Sequence, residues 1–112
     1  MAPAFVPAPG NLVWLAFDPK AGHEQGGRRP ALVISPREYN TRVGLALFCP
    51  VTTSVKGYPF EVAVPAGLPV SGVVLSDQLK SLDWRARKAE LICSLPDPVT
   101  ADVLARIRTL VT

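Results

Sequence analysis

The chain has 112 residues, enough for one domain and too few for two independent cores. Apolar residues make up 48% and charged residues 19%, which excludes a wholly disordered chain, and eight Gly with twelve Pro are too many for a helical bundle. Twelve Lys and Arg against nine Asp and Glu give a net charge of +3, a lean toward anionic partners that does not by itself establish nucleic-acid binding.

Residues 1–9 form an Ala/Pro stretch expected to be a flexible tail. Residues 12–17 are apolar on both sides and predict a short buried strand. Residues 18–28 carry Pro, Gly and mixed charge, a long loop of the kind that often carries function in a small domain. A second strand is predicted over 29–35, stopped by Pro36, then a turn over 39–44. The third strand, 43–51, contains Pro50 and should bend there. Tyr58, Phe60, Val62 and Val64 alternate with smaller or polar residues, a strand with one apolar face. Short strands over 73–75 and 78–82 and a last strand over 87–93 follow.

The end of the chain differs in kind. Asp97 suits an N-cap and Pro98 the first helical position. Val99, Val103, Ile107 and Leu110 recur at helical spacing, widened by Leu104 and Val111, and Arg106 and Arg108 suit the helix C-terminus. The expected architecture is mainly β: one domain over residues 1–112, a small, strongly curved antiparallel barrel closed by a C-terminal α-helix.

Several functions are excluded at this point. Residues 1–17 carry no Lys or Arg, and the apolar run that follows the tail is short, so neither an export signal nor a membrane span is expected. Cys49 and Cys93 sit in apolar neighbourhoods without metal spacing and are expected to be buried free thiols of a cytoplasmic protein. His23 is the single histidine, which excludes two-histidine acid–base chemistry within one chain. Zinc-ligand spacing, phosphate-cradling Gly-rich motifs and the Gly-x-Ser-x-Gly elbow are absent, so no metal or cofactor is expected.

What remains is polar residues collected on three loops: 23–29 with Glu24, Arg28 and Arg29; Thr52, Thr53 and Ser54 with Lys56; and Lys80 with Trp84, Arg85, Arg87 and Lys88. If the loops meet, they form a basic cleft edged by hydroxyls. Guanidinium groups fork onto phosphate oxygens, hydroxyls add hydrogen bonds, and Trp84 among cations suits stacking on a base. Each residue also has a plainer reading: a solvated arginine pair, threonines bonded to backbone, a tryptophan that fills core, a solubility face.

The same residues carry a resemblance. Residues 10–19, the stretch 24–36 (EQGGRRPALVISP), Cys49-Pro50-Val51-Thr52-Thr53, residues 56–62 (KGYPFEV), residues 74–81 and Trp84-Arg85-Ala86-Arg87 resemble the MazF/PemK toxin family, closest to its MazF branch. His23, just before Glu24, is bulkier than the residue familiar there. The resemblance implies an SH3-like barrel, a homodimer and a metal-independent endoribonuclease that cuts single-stranded RNA at short sequences, leaving 2′,3′-cyclic phosphate and 5′-hydroxyl ends. It implies the toxin of a type II toxin–antitoxin pair, with catalytic Arg29 and Thr52 and a contribution from Glu24. Arg28, Thr53, Ser54, Lys56, Lys80, Trp84, Arg85 and Arg87 are the expected RNA contacts.

Physical chemistry fits that set. When the RNA's own 2′-hydroxyl attacks, the enzyme must stabilise a pentacovalent phosphorane and handle protons. A guanidinium is a poor base, so Arg29 is expected as electrostatic stabiliser and proton donor with Glu24 as base; the alternative gives the acid–base work to Arg29 itself. A basic cleft that must be silenced calls for an antitoxin with a disordered acidic and apolar tail. The alternative is a non-catalytic inhibitor of the same fold, like the CcdB gyrase poison, acting on a protein target. Arg29 before Pro30, with Thr52 ending the third strand, favours the nuclease.

Overall fold

The computed structural model describes residues 5–16 and 27–112. The expectations placed on His23 and Glu24 lie outside the described residues. Strand β1 (Asn11–Ala16) is followed by β2 (Arg28–Val33), helix α1 (Arg37–Val43), β3 (Ala46–Thr52), β4 (Glu61–Ala63), β5 (Val73–Leu75), β6 (Lys80–Leu82), β7 (Glu90–Ser94) and helix α2 (Asp97–Val111). The strands form one curved antiparallel sheet in the order β4-β5-β3-β2-β1-β7, with β6 also paired to β3. Among the described residues no ladder joins β4 to β7, so the mainly β, helix-capped fold is found without hydrogen-bonded closure of the barrel. No helix of the described residues is long and apolar enough to cross a membrane.

Strand β3 organises the sheet. One edge pairs with β2, from Val33↔Phe48 to Ala31↔Pro50. The other pairs with β6 through Phe48↔Lys80 and then with β5 from Val51↔Val74. Pro50, which has no N–H to give, sits where the second edge changes neighbours, a place that tolerates it.

Alternation along the strands builds two cores. Leu12, Leu32, Cys49 and Val51 point to one face and pack with Val103 and Ile107 of α2. Val13, Leu15, Ala31, Val33, Ala46 and Phe48 point to the other and pack with Trp84. Strand β1 lies between β2 and β7, and Leu12, Val13 and Leu15 are all buried within this one chain. Its two-sided apolarity is therefore satisfied without a second copy.

Four local features depart from the sequence reading. The segment read as a turn is helix α1, with Glu38 in its first turn, Arg42 in its last and Gly44 closing it at φ 81°. Its buried residue is polar: Asn40 Nδ2 donates to the carbonyls of Pro7 (2.8 Å) and Ser35 (3.1 Å), and its Oδ1 accepts from Ser35 Oγ. Strand β4 is shorter than the alternation suggested, because the Glu61 carboxylate takes the N–H groups of Lys56 and Gly57 and holds residues 56–60 in a loop. Strand β7 begins late, because the Asp83 carboxylate takes the N–H groups of Arg85 and Ala86 in a turn. In α2, Asp97 lies inside the first turn and Pro96 holds the cap position without a side-chain bond, while Leu110 and Val111 are exposed beyond the last buried residue, Ile107.

Cys49 is fully buried, and its thiol is pushed up to about 12, by desolvation first and then by the charge of Asp77. Cys93 is only partly buried, so the expectation of two buried thiols holds for Cys49 alone. The thiolate is the nucleophile. At pH 8 a thiol reagent followed by mass spectrometry should therefore modify Cys93 and spare Cys49 until denaturant is added. Equal labelling of both in the native protein would contradict this packing.

Gly72, just before β5, sits against the backbone at the end of β3. At φ 118° a Cβ there would lie 2.1 Å from the Thr52 carbonyl oxygen and 2.8 Å from its carbon. Both obstacles are backbone, so Gly72→Ala must displace the end of β3. We expect a loss of about 2–4 kcal/mol in thermal or urea unfolding, the scale of a strained or overpacked site. An unchanged melting temperature would show that β3 gives way freely.

Candidate active site

The β2–β3 ladder ends at Ala31↔Pro50. Extending its register by two residues sets Arg29 opposite Thr52, and strand alternation puts both on the face of Leu15, Ala31 and Phe48. Arg29 and Thr52 line one cavity of about 490 Å³. Lys80, paired with Phe48 across the β3–β6 ladder, lines it too, together with Gln78. Leu15, Phe48, Leu75 and Leu82 supply apolar wall. Such a mixture of apolar wall and a few converging polar groups is typical of ligand sites.

A second cavity of about 130 Å³ adjoins the first. Thr52, Leu75 and Gln78 line both, and Ser54, Lys56, Tyr58 and Glu61 belong to the smaller one. Thr52 Oγ1 accepts the Ser54 N–H at 3.0 Å. The plainer reading of Thr52, a hydroxyl bonded to backbone, is thus partly right. The bond fixes the oxygen yet leaves its proton to donate elsewhere. Thr53 is exposed on the same turn, and its carbonyl accepts the Val55 N–H.

The remaining expected contacts are dispersed. Arg28 alternates to the opposite face, where its guanidinium lies 5.7 Å from the Trp14 ring and pairs with Glu90. Arg85 lies over Trp84 at 4.5 Å. Arg87 donates to the Ala16 carbonyl at 3.3 Å, beside a backbone bond from Ala16 N–H. None of the three lines either cavity.

Trp84 requires a correction. It is 5% exposed, packed in the second core, with Nε1 donating to the Asn40 carbonyl at 3.0 Å. A base needs an open ring face on which to stack, and Trp84 offers none. It is core filler with a satisfied donor, the plainer of its two readings.

Sequence reasoning singled out neither Gln78 nor Tyr58, Glu61 and Asp77. Gln78 lies between two short strands, in a segment matched to the family but assigned no task. Tyr58 looked like one apolar position of a strand, and only the loop that Glu61 holds turns it toward Thr52.

Comparison with known proteins places the chain in a family. The family model described as the PemK-like, MazF-like toxin of type II toxin–antitoxin systems matches residues 8–111. The endoribonuclease toxin MazF of Escherichia coli K12 is 52% identical over 89 residues, covering 80% of this chain and 79% of that protein. The Escherichia coli endoribonuclease PemK is 34% identical over 105 residues, covering 89% of this chain and 79% of its own. A crystal structure of MazE–MazF from Deinococcus radiodurans superposes with a TM-score of 0.90 at 57% identity, covering 96% of this chain and 97% of the other. With a matching model across nearly its whole length, this chain belongs to the PemK-like, MazF-like toxin family of type II toxin–antitoxin systems.

Proposed function

We propose that this chain is the endoribonuclease toxin of a type II pair and cuts single-stranded RNA at the cavity shared by Arg29 and Thr52. The observation that carries the reading is their register: two polar side chains from paired strands open onto one cavity with Lys80 beside them. In the reaction the substrate's 2′-oxygen forms a bond to the adjacent phosphorus, and the bond from phosphorus to the 5′-oxygen breaks. The 2′-hydroxyl proton passes to a base, and the leaving 5′-oxygen takes up a proton from water, so that one proton is moved in net from the 2′- to the 5′-oxygen. The products are a 2′,3′-cyclic phosphate and a 5′-hydroxyl.

Charge grows on the non-bridging oxygens as phosphorus becomes pentacovalent. Arg29 faces that charge with a permanently protonated fork, Thr52 with the hydroxyl proton that its bond from Ser54 leaves available, and Lys80 with a point charge. Glu24 takes the proton. These groups supply the chemistry without a metal ion. The protein acts in the cytoplasm as a homodimer, and an acidic, disordered antitoxin segment competes with RNA for the cationic cavity. The similar Deinococcus radiodurans protein is solved as a MazE–MazF complex, which supports an antitoxin partner.

Replacing the ribose 5′ of the cut with deoxyribose should abolish cleavage in EDTA while leaving binding largely intact. Cutting of that oligonucleotide would overturn attack by the 2′-hydroxyl. Growth arrest without any RNA cleavage would instead favour a protein-poisoning inhibitor.

Arg29→Ala and Thr52→Ala should each lower the single-turnover rate by ~100-fold or more, the scale of losing an oxyanion donor. Glu24→Gln should remove the acidic limb of the pH–rate profile. Arg28→Ala, which loses an exposed ion pair on the other face, should change the rate by less than about fivefold. Equal losses for Arg28→Ala and Arg29→Ala would refute the assignment by strand face.

A further inference from the structure

We infer that Tyr58 is the platform on which a nucleobase flanking the scissile phosphate stacks, and that the smaller cavity is the subsite for that base. The inference rests on the reading of Arg29 and Thr52 as the cleavage site. At about 130 Å³ the cavity is well below the ~300 Å³ at which drug-sized pockets begin and is open to solvent, so its floor matches one ring system with the rest of the nucleotide outside. It shares Thr52 with the larger cavity, so its occupant is the immediate neighbour of a phosphate held there.

Stacking needs an aromatic face open to the cavity. Among the described residues, Phe48 and Tyr58 are the aromatic side chains that line either cavity, and Phe48 is 1% exposed. Tyr58 is half-buried, with Leu75 and Gln78 as neighbours in the lining. Leu75 adds an apolar surface, and Gln78 carries both a donor and an acceptor for a base edge.

The ring is also held in place before any ligand arrives. Its hydroxyl donates to Asp77 Oδ1 at 3.1 Å. Just before it in the chain, the Glu61 carboxylate takes the Lys56 and Gly57 N–H groups at 2.9 and 2.8 Å. Just after it, Arg106 of α2 donates to the Pro59 carbonyl and is itself braced by Asp102 at 2.9 Å. A loop fixed on both sides of its aromatic residue loses little freedom on binding, which favours affinity. Lys56, on the rim, supplies charge for the RNA backbone leading in.

The test uses the full-length protein and an RNA made uncleavable by deoxyribose at the cut, with the ribonucleotide parent for kinetics. Tyr58→Ala should weaken binding and raise KM by about 5- to 100-fold, the range of one lost base–aromatic stack, with little change in single-turnover rate at saturating RNA. Tyr58→Phe keeps the ring but loses the tie to Asp77, and it should recover most of that affinity. Removing the base at one of the two positions flanking the cut should weaken wild-type binding by the same factor and cancel the effect of Tyr58→Ala. Undiminished binding by Tyr58→Ala would overturn the inference. So would a Tyr58→Phe as weak as Tyr58→Ala, or a loss that persists on both abasic RNAs. If the wild type binds but never cleaves the parent RNA, the active-site reading fails, and the binding measurements still decide the stack.

Discussion

Along seven residues of β3, one edge stays with β2 while the other passes from β6 to β5, and the side chains feed two cores in alternation. Everything placed in the cavity depends on that strand. Thr52 is its last residue, Arg29 is set by its register with β2, and Lys80 lies across its ladder with β6. The change of neighbours at Pro50 opens the sheet where the polar groups converge. Gly72 keeps β5 close enough to hold the end of the strand in position. The site is therefore a product of sheet register more than of loop conformation.

Much of this was legible in the sequence, and what was not has identifiable causes. β1, β2 and α2 announce themselves because their burial follows the apolar pattern: Leu12, Leu32, Val103 and Ile107 are core where periodicity puts them. Helix α1 does not, because it buries Asn40 and leaves Tyr39 and Val43 exposed, so no apolar stripe exists to be read. Its evidence was the glycine that ends it. Strand β4 was overextended because alternation of Tyr58 and Phe60 with Val62 looks like a strand until the Glu61 carboxylate is seen to hold the preceding amides.

Arg29 and Thr52 were found through family resemblance, since neither residue exceeds its plainer reading when taken alone. Trp84 misled for the opposite reason. Cations surround it in the chain, but chain neighbours on a turn do not share its environment: the indole goes inward to Asn40 while Arg85 stays outside over its ring. The buried polar cluster of Asn40, Ser35 and Trp84 links helix α1, the end of β2 and the turn before β7. Directional bonds of that kind specify one arrangement of a small core in which apolar packing alone permits several. They are invisible to hydropathy, because each member taken singly looks like a surface residue or an ordinary aromatic.

Arg28 and Arg29 are adjacent in sequence and face opposite sides of the sheet. What selects between them is the pairing of β2 with its two neighbours, anchored by Ala31, Leu32 and Val33 in the cores. Insertions and deletions between Ala16 and Gly27 thus leave the cavity-facing arginine where it is, whereas a single-residue slip within β2 would exchange it for its neighbour.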